Sequence, residues 1–434
     1  MPDRPNVLLV VTDQQFAGAM GCANDDLATP AMDGLADRGT RFPNAYCPYP
    51  LCTPARASLL TGRPPHEVGV MENNQHIDDE YLADGLGRVF AAAGYDCGYA
   101  GKFHVPDIAL PAENDHGFER LCGFDDHAVP EACAEFVERD RGAPFLLVAS
   151  FDNPHNICEW ARGQPLPWGP IEEPPVAECP TLPANFHPPA FEPGVIREQE
   201  ADPDRAYVAF HGDPADWRRY RNAYYRLVER VDRRVGRVLN ALDAAGERED
   251  TVVVFLSDHG DGHGAHRLNQ KSYLYEEQTR VPLLVDAPDG GGGRVDDRLV
   301  AAGLDLLPTL ADYAGIDVER RGRSLRPAVA GDDADGRESV VVQTATPVPG
   351  RMVRTERYKY VVYARGQRRE QLFDLRADPG EMVDLADDAA HAGVLEDHRE
   401  RLLEWCLETG DCFEEHYAHP GLPTIPGYEY ADLQ

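Results

Sequence analysis

A cysteine and an arginine stand close together at the start of a predicted short helix. Residues 51–62 read LCTPARASLLTG, in which Pro54 suits the first helical turn and Gly62 suits the C-terminal end. Cys52 therefore lies at the helix N-terminus, where free backbone N–H groups and the helix dipole attract an anion and lower the pKa of a thiol. Arg56 is one turn further along and can reach the same anion. We interpret this segment as a site for a tetrahedral oxyanion; the alternative is a small buried cysteine in a helix cap.

Charged and imidazole side chains follow four separate predicted strands, at the point where each strand ends. The strands are predicted over 7–11, 95–100, 145–150 and 251–257, and the segments that follow them are Asp13-Gln14, Gly101-Lys102-Phe103-His104, Asp152-Asn153-Pro154-His155 and Asp258-His259-Gly260-Asp261. In open α/β sheets, ligands bind outside the carboxyl ends of the strands. A single aspartate in such a place often only caps a helix, but four groups together indicate one functional rim.

These strands alternate with helical patterns, which predicts an α/β fold. The longest helix is predicted over 216–245, where apolar residues recur every three or four positions and Gly246 ends the pattern. Strands that alternate with helices indicate a parallel sheet covered by helices on both faces. A weakly periodic segment, 154–214, is predicted to be a long insertion over the rim of this sheet.

The pattern changes after about residue 345. Segments 351–363 and 371–375, with a turn over 377–381, predict antiparallel strands, and a helix is predicted over 389–408. We therefore divide the chain into a catalytic α/β domain over residues 1–345 and a smaller C-terminal α+β domain over residues 346–434, whose last segment, 417–434, is predicted to wrap a surface.

The composition limits the kinds of partner that the protein can have. The chain of 434 residues has 75 acidic and 42 basic residues and a formal net charge of −33, which argues against nucleic acid binding because phosphate contacts need basic patches. The three lysines are Lys102, Lys271 and Lys359, and the other basic residues are arginines. An acidic, lysine-poor surface is typical of proteins at very high salt, where screening weakens self-repulsion. We therefore expect a salt-adapted organism; the alternative is a GC-rich genome that encodes arginine in place of lysine.

The sequence also predicts a cytoplasmic protein without a membrane segment. No apolar run approaches the roughly 18 residues that a membrane span needs, and the chain enters its first predicted strand near Asn6 without a signal peptide. The ten cysteines are scattered and form no Cys-x-x-Cys pair, which favours a reducing compartment.

The motif around Cys52 resembles the signature of the type I sulfatases, a family in the alkaline phosphatase superfamily. The resemblance rests on Cys-x-Pro-x-Arg over 52–56, followed by a helix and by Leu60-Thr61-Gly62-Arg63. It extends over nearly the whole chain through the segments 6–13, 28–36, 42–46, 98–104, 257–261, 275–277, 280–282, 357–360, 372–375 and 378–381. It implies the fold of that superfamily: a large mixed, mostly parallel sheet sandwiched by helices, with a smaller C-terminal antiparallel sheet.

The resemblance implies a nucleophile and a metal site. Cys52 would be oxidised after translation to formylglycine, whose hydrated gem-diol is the nucleophile, and this needs a formylglycine-generating enzyme in the host. A divalent cation, usually Ca²⁺, would be held by Asp13, Gln14, Asp258, His259 and the modified Cys52. A mainly oxygen-donating set fits a hard cation on general grounds. The cation would fix the nucleophile, lower its pKa and polarise a sulfate oxygen.

The resemblance also assigns the residues that handle charge and protons. Arg56, Lys102 and Lys271 would neutralise the charge that develops on the sulfate oxygens. Because arginine replaces lysine almost everywhere else in this chain, two lysines at these places indicate that a compact ammonium is needed. His155 would protonate the leaving alcohol, and His104 would take a proton from the second hydroxyl so that sulfate leaves; the two roles could be exchanged.

Two positions depart from the pattern of many family members. Those members have Asp-Asp at the first metal motif and Asp-Asn at the second, whereas this chain has Asp13-Gln14 and Asp258-His259. The Gln and His variants resemble the choline-sulfatase and phosphonate monoester hydrolase branches. They leave Mn²⁺ open as the cation and phosphodiesters open as substrates.

We therefore predict a cytoplasmic sulfatase that hydrolyses a small sulfate ester or sulfamate to an alcohol or amine and inorganic sulfate. The alternative enzyme is a phosphodiesterase or phosphonate monoester hydrolase with the same nucleophile. The alternative of another class is a non-catalytic relative that binds a metal or a sulfated ligand. Neither nucleic acid nor a membrane is an expected partner.

Overall fold

The computed structural model describes residues 4–200, 213–332 and 336–413, so the predicted surface segment 417–434 lies outside the described residues. The strands are β1 Asn6–Asp13, β2 Thr40–Arg41, β3 Ala45–Tyr46, β4 Asp96–Gly101, β5 Glu119–Arg120, β6 Phe145–Pro154, β7 Thr251–Ser257, β8 Arg280–Val281, β9 Leu283–Asp286, β10 Arg294–Val295, β11 Val300–Ala301, β12 Ser339–Thr344, β13 Gly350–Thr355, β14 Tyr358–Tyr363 and β15 Glu370–Asp374. The α-helices are α1 Pro30–Arg38, α2 Cys52–Thr61, α3 Asp79–Leu82, α4 Leu86–Ala92, α5 Val129–Val137, α6 Ile157–Ala161, α7 Gly194–Glu200, α8 Pro214–Ala244, α9 Glu276–Thr279, α10 Ala302–Ala314, α11 Arg326–Ala330 and α12 Ala392–Thr409.

An eight-stranded sheet forms the centre of the structure, in the order β10-β2-β9-β7-β1-β6-β4-β5. Strand β1 lies in the interior and pairs in parallel with both β6 and β7, so that Val10 stands between Ala149 and Phe255. Strand β4 continues the parallel run beside β6, whereas β9 is antiparallel to both β7 and β2. The predicted large mixed, mostly parallel sheet is confirmed.

Successive side chains of β1 alternate between two hydrophobic cores, as expected for a strand that is buried on both faces. Val7, Leu9 and Val11 join one core, which includes residues of α2, α4 and α10. Leu8 and Val10 join the other core, which includes residues of α1, α5 and α8. Helices therefore cover both faces of the sheet, which confirms the sandwiched arrangement.

The longest helix, α8, spans Pro214–Ala244, close to its predicted range of 216–245. It begins slightly earlier because Asp213 caps it, with a carboxylate that accepts hydrogen bonds from the backbone of Ala215 and Asp216. Pro214 then occupies the first turn, where its missing N–H would have no partner in any case. Neither α8 nor another helix in the described ranges is both long and apolar enough to cross a membrane.

A four-stranded antiparallel sheet, in the order β12-β13-β14-β15, forms the C-terminal part of the structure, with α12 packed against it. Strands β13, β14 and β15 confirm the antiparallel strands predicted over 351–363 and 371–375, and α12 confirms the helix predicted over 389–408. Strand β12 is an additional edge strand that pairs with β13. Strand β12 lies before residue 346 although it belongs to the C-terminal sheet. The division of the chain into domains at 345/346 remains a prediction.

Lys359 joins this C-terminal sheet to the rest of the molecule. It is fully buried on β14, and its Nζ lies 3.1 Å from Glu276 Oε1 and 2.7 Å from Glu381 Oε1. Glu276 also accepts a hydrogen bond from the hydroxyl of Tyr46 on β3. Burial alone would raise the pKa of Glu276, but Lys359 and two arginines hold it at about 2. The Glu276–Lys359 contact is therefore a buried ion pair.

Replacing Lys359 by methionine should destabilise the fold strongly, since two buried carboxylates would lose their shared partner. We expect the free energy of unfolding to fall by about 3–5 kcal/mol, measured by urea denaturation. The matched control is Arg357→Ala in the turn before β14, where a half-exposed arginine pairs with Asp374, and this variant should unfold close to the wild-type urea midpoint. Equal midpoints for the two variants would contradict a central role for Lys359.

Candidate active site

The carboxyl ends of four parallel strands meet at one edge of the central sheet. Strand β1 ends at Asp13, β4 at Gly101, β6 at Pro154 and β7 at Ser257. The four strands are neighbours in the order β7-β1-β6-β4 and run in the same direction. The residues that follow them therefore surround one place, at the edge of the sheet where ligands bind in α/β folds.

Cys52 is the first residue of α2, as predicted. The helix ends at Gly62, whose φ of 67° is the left-handed conformation that glycine adopts without strain. The Cys52 side chain is fully buried. Its Sγ lies 2.8 Å from Lys271 Nζ, 3.3 Å from His259 Nε2 and 3.5 Å from Asp13 Oδ1. The predicted nucleophile position thus lies beside the ends of β1 and β7.

The surroundings of Cys52 favour a negative charge on its side chain. Burial and the carboxylate of Asp13 raise the pKa of the thiol, but Lys271, Lys102 and His259 outweigh them and hold it well below its usual range. The site therefore stabilises an anionic group where the Cys52 side chain stands.

Arg56 holds two buried carboxylates side by side. Its Nη2 donates to Asp13 Oδ2 at 3.0 Å, and its Nε donates to Asp258 Oδ2 at 2.8 Å. Its Nη1 donates to the carbonyl of Lys102 and to the hydroxyl of Ser150, both at 3.0 Å. The second oxygen of each carboxylate is left on the side of His259: the two Oδ1 atoms lie 3.8 and 3.7 Å from its Nε2.

The cations around the two carboxylates compensate the charge of Asp13 but not that of Asp258. Burial would raise the pKa of Asp13, but Lys102, His155 and Arg56 hold it well below its usual range. For Asp258, burial and the neighbouring Asp13 raise the pKa to about 6. A further positive charge near Asp258 would remove this cost, as a bound cation does.

His259 turns its Nε2 to the same place. Its Nδ1 lies 2.9 Å from the carbonyl of Gly260, so Nδ1 carries a proton and donates it, and in the neutral ring Nε2 has the lone pair. Burial would lower the pKa of this imidazole, but Asp258 and Cys52 raise it above its usual value, so a cation and a proton would compete for Nε2. A carbonyl that fixes the ring in this way is a common partner of metal-binding histidines. One ligand atom from each of Asp13, Cys52, Asp258 and His259 lies within 4.8 Å of the others, and all four residues are buried.

Gln14, the fifth predicted ligand, has its side-chain amide engaged with other residues. It adopts a left-handed conformation with φ of 70°, and its backbone N–H donates to Asp258 Oδ1 at 3.1 Å. Its Nε2 donates to Asp261 Oδ2 at 2.7 Å, and its Oε1 lies 3.8 Å from Cys158 Sγ. Its place as a ligand stays a prediction; the contacts show that it positions Asp258 and Asp261.

Both lysines predicted for the site are buried in it. Lys102 Nζ lies 2.8 Å from Asp13 Oδ2 and 2.8 Å from Asp152 Oδ1, and Lys271 Nζ contacts Cys52 Sγ. Burial would lower the pKa of Lys102, but Asp13 and Asp152 raise it well above its usual range, so its ammonium stays charged. Together with Arg56, the lysines place three permanent positive charges in the site.

The two histidines predicted to transfer protons follow β6 and β4. His155 is partly exposed, and its Nδ1 lies 3.9 Å from Asp152 Oδ1. His104, two residues after Lys102, adopts a left-handed conformation with φ of 57°, and its buried Nδ1 has no hydrogen-bond partner in the described part of the chain. Buried polar atoms are nearly always paired, so this nitrogen is available to a water molecule or a substrate.

Four further residues support the site but lie outside the predicted set. Asp152 binds Lys102, Ser150 binds Arg56, and Asp261 binds Gln14. Tyr220 on α8 donates its hydroxyl to Asp261, 3.0 Å from each carboxylate oxygen. Asp152 and Asp261 stand in the segments that follow the predicted strands, so their positions in the sequence could have identified them. In the sequence, Tyr220 fits the apolar pattern of an amphipathic helix, and no signal marks it as part of the site.

A second group, formed by His266, Glu277 and Glu381, also brings three ligand-type atoms within 4.8 Å of one another. Asn185 donates from Nδ2 to Glu277 Oε1 at 2.9 Å, and the same Nδ2 lies 3.5 Å from His266 Nε2. The same Nδ2 also donates to the carbonyl of Gly380 at 3.2 Å, and Lys359 Nζ lies 2.7 Å from Glu381 Oε1. We interpret this group as a hydrogen-bonded network rather than a second cation site.

Known proteins resemble this chain over most of its length. A family model described as sulfatase matches residues 5–316, and one described as N-sulphoglucosamine sulphohydrolase, C-terminal, matches residues 264–407. A Δ4,5-hexuronate-2-O-sulfatase of Bacteroides thetaiotaomicron is 32% identical, over 94% of this chain and 90% of that protein. The human N-sulphoglucosamine sulphohydrolase is 27% identical, over 94% of this chain and 90% of that protein.

The likeness extends to three dimensions. The solved structure of a 2-O GAG sulfatase matches with a TM-score of 0.84 and 30% identity, over 95% of this chain and 94% of that chain. The match covers both the central sheet with its rim and the C-terminal antiparallel sheet. The chain therefore belongs to the sulfatase family, within the alkaline phosphatase-like superfamily, and is a sulfuric ester hydrolase.

Proposed function

We propose that this sulfatase uses Cys52, converted to formylglycine, beside a divalent cation held by Asp13, Asp258 and His259. The surroundings of Cys52 carry the proposal: its side chain is fully buried at a helix N-terminus, with Lys271 Nζ at 2.8 Å and an Asp13 oxygen at 3.5 Å. Hydrated formylglycine would supply an oxygen nucleophile at this position. Lys271 and Lys102, which surround this position, stabilise an anion on it.

We propose that Cys52 is converted before the protein folds. The segment 52–56, which carries the recognition pattern, is buried along its whole length within α2. A loop closes the start of this helix, because Asn73 accepts a hydrogen bond from the Thr53 backbone at 3.1 Å and Asn74 donates to the Thr53 hydroxyl at 3.2 Å. A formylglycine-generating enzyme would therefore act on the chain before α2 packs against the sheet.

The donor set suits a divalent cation. Asp13 and Asp258 offer carboxylate oxygens, His259 offers Nε2, and Cys52 would offer an oxygen after conversion; Gln14 is proposed as the fifth ligand. We propose Ca²⁺ because most donors are oxygens, and Mn²⁺ is the second candidate because an imidazole nitrogen suits a transition metal better. The bound cation would lower the pKa of the nucleophile and polarise a sulfate oxygen.

The charges of the site suit an anionic substrate. The side chains that face one another carry three negative and three positive charges, from Asp13, Asp152 and Asp258 and from Arg56, Lys102 and Lys271. A divalent cation would leave a surplus of positive charge. We propose that this surplus, with the three side-chain cations, binds the sulfate oxygens and stabilises their charge in the transition state.

We propose that His155 gives a proton to the leaving oxygen or nitrogen and that His104 accepts a proton from the second hydroxyl of the hydrated formylglycine, so that sulfate leaves. The nearby carboxylate of Asp152, with Oδ1 3.9 Å from His155 Nδ1, supports the first role, since it places a negative charge beside the ring. The Nδ1 of His104 supports the second role, because no group among the described residues hydrogen-bonds to it and an acceptor must be free before the proton arrives.

We propose a sulfated saccharide as the substrate class. The Bacteroides relative is named as a hexuronate-2-O-sulfatase, the similar structure is that of a GAG sulfatase, and the human relative is named for N-sulphoglucosamine. Sugar hydroxyls and amines are poor leaving groups, so their release needs a proton donor such as His155. An aryl sulfate has a good leaving group and serves as a convenient probe.

Replacing Cys52 by alanine should abolish hydrolysis of 4-nitrophenyl sulfate, with a fall in kcat of more than about 10⁴-fold because the nucleophile is lost. Mass spectrometry of the 51–56 peptide from the active wild-type protein should show an aldehyde in place of the thiol. The matched control is Cys133→Ala, which removes another buried cysteine, on α5, and should keep wild-type turnover.

Two results would contradict this reading of Cys52: an intact thiol in fully active protein, or normal turnover by the Cys52→Ala variant. The same assay should be run with bis(4-nitrophenyl) phosphate and with a 2-O-sulfated unsaturated disaccharide. We expect the highest kcat/KM on a sulfate ester. A higher kcat/KM on the phosphodiester would favour the phosphodiesterase alternative. That alternative is open because this chain has Gln14 and His259 in its two metal motifs.

Removing the imidazole of His259 should weaken cation binding. After chelator treatment, added Ca²⁺ should stabilise the wild-type protein by about 2.7 kcal/mol at a concentration one hundred times Kd, seen as a higher thermal midpoint. His259→Ala should need a much higher Ca²⁺ concentration, whereas His391→Ala, which removes a histidine paired with Asp388 at the start of α12, should behave as wild type. Equal Ca²⁺ affinity of all three proteins would exclude His259 as a ligand, and a parallel titration with Mn²⁺ decides between the cations.

We propose that the protein works in the cytoplasm of a salt-adapted organism, on the strength of its net charge of −33. Self-repulsion should then be relieved as KCl rises from about 0.1 M, where the Debye length is about 10 Å, to about 1 M, where it is about 3 Å. We expect the thermal midpoint to rise over this range by several degrees. A midpoint that does not change with KCl would favour the GC-rich genome as the cause of the lysine deficit.

A further inference from the structure

We infer that Asp126 is a positioning residue for the reaction, through the turn that carries Asp152 and His155. This turn runs from Asp152, near the end of β6, to His155 just after it, and holds the two side chains that reach Lys102 and, on the proposed function, the leaving group. The inference rests on that proposed function. Asp126 lies in the loop before α5, outside every motif that carried the family resemblance.

The carboxylate of Asp126 binds the start of the turn. Its side chain is almost fully buried. Oδ1 accepts a hydrogen bond from the Asp152 backbone at 2.7 Å. Oδ2 accepts hydrogen bonds from the Asn153 backbone at 3.1 Å and from the Asn153 side chain at 2.7 Å. Three donors from two successive residues thus converge on one carboxylate.

Arg234 supplies the counter-charge. It projects from α8, its Nη1 donates to Asp126 Oδ2 at 3.1 Å, and its guanidinium lies 5.2 Å from the ring centre of Trp168. Burial and the nearby Asp152 raise the pKa of Asp126 to about 6, so the carboxylate is ionised at neutral pH. A charged acceptor makes stronger hydrogen bonds to the turn than a neutral one would.

The turn transmits this restraint to the site. Asp152 Oδ1 lies 2.8 Å from Lys102 Nζ, and Oδ2 accepts a hydrogen bond from Asn156 at 2.5 Å. The His155 backbone N–H donates to the Asp152 carbonyl at 2.8 Å. Its ring Nδ1 lies 3.9 Å from Asp152 Oδ1. A shift of the Asp152 backbone would therefore move the His155 ring and the partner of Lys102 together.

An effect of Asp126 on the alignment of His155 can be distinguished from a general loss of stability. A proton donor matters most when the leaving group is a strong base, because a good leaving group departs without help. If Asp126 acts by aligning His155, its loss should slow the release of a poor leaving group more than that of a good one. A purely structural role would slow both to the same degree.

The test compares Asp126→Asn with wild type on 4-nitrophenyl sulfate and phenyl sulfate, whose leaving groups are good and poor. We expect kcat to fall about tenfold on the first and about 100-fold on the second, with a smaller change in KM. Arg234→Gln should show the same pattern to a lesser degree, and it carries the test if Asp126→Asn does not fold, as judged by its circular dichroism. The matched control is Glu131→Gln, which removes the exposed ion pair of Glu131 with Arg237 between α5 and α8 and should leave both rates unchanged.

The outcomes are distinct. A loss of kcat that grows with the basicity of the leaving group supports the positioning role. Equal losses on both substrates, or wild-type rates in a folded Asp126→Asn protein, would overturn it while leaving the sulfatase function in place. A wild-type protein that hydrolyses neither aryl sulfate nor the sulfated disaccharide would instead contradict the proposed function, and the inference about Asp126 with it.

Discussion

The guanidinium of Arg56 lies between the carboxylates of Asp13 and Asp258, and the rest of the site depends on this contact. Both aspartates are buried, at the ends of two neighbouring strands, and a buried charge without a partner costs several kcal/mol. Arg56 relieves both charges at once through Nη2 and Nε. Because Arg56 lies on α2, the same contact fixes the start of that helix, and Cys52 with it, at the rim of the sheet.

The contact also divides the carboxylate oxygens between two tasks. The Oδ2 atoms face side-chain cations: both bind Arg56, and that of Asp13 also binds Lys102. The Oδ1 atoms stay on the side of His259, whose ring is oriented by the Gly260 carbonyl. The two Oδ1 atoms and His259 Nε2 therefore lie together, and the side-chain cations of the site surround them. On the proposed function, these acceptors would hold the divalent cation and the side-chain cations would hold the sulfate.

The sequence predicts those parts of the site that local signals specify. Each strand that ends at the rim is a short β-branched or apolar run, and the start of α2 is marked by Pro54 and its end by Gly62. Long-range pairing has no such signal: Asp126 contacts Arg234, and Asp152 contacts Lys102, across large separations in the chain. The edge strand β12 was not predicted, although its Val340–Val342 run is β-branched.

The lysines show how composition and geometry combine. All three are buried, in a chain whose other basic residues are arginines. Lys102 fits between Asp13 and Asp152 at 2.8 Å from each, directly beside Arg56, whose Nη1 binds the Lys102 carbonyl. Lys359 likewise fits between Glu276 and Glu381. The ammonium is a compact point charge with three rotatable donors, whereas a guanidinium is a planar fork, as at Arg56, which binds Asp13 and Asp258 through Nη2 and Nε. Shape rather than charge therefore explains why lysine is retained between these two other pairs of carboxylates.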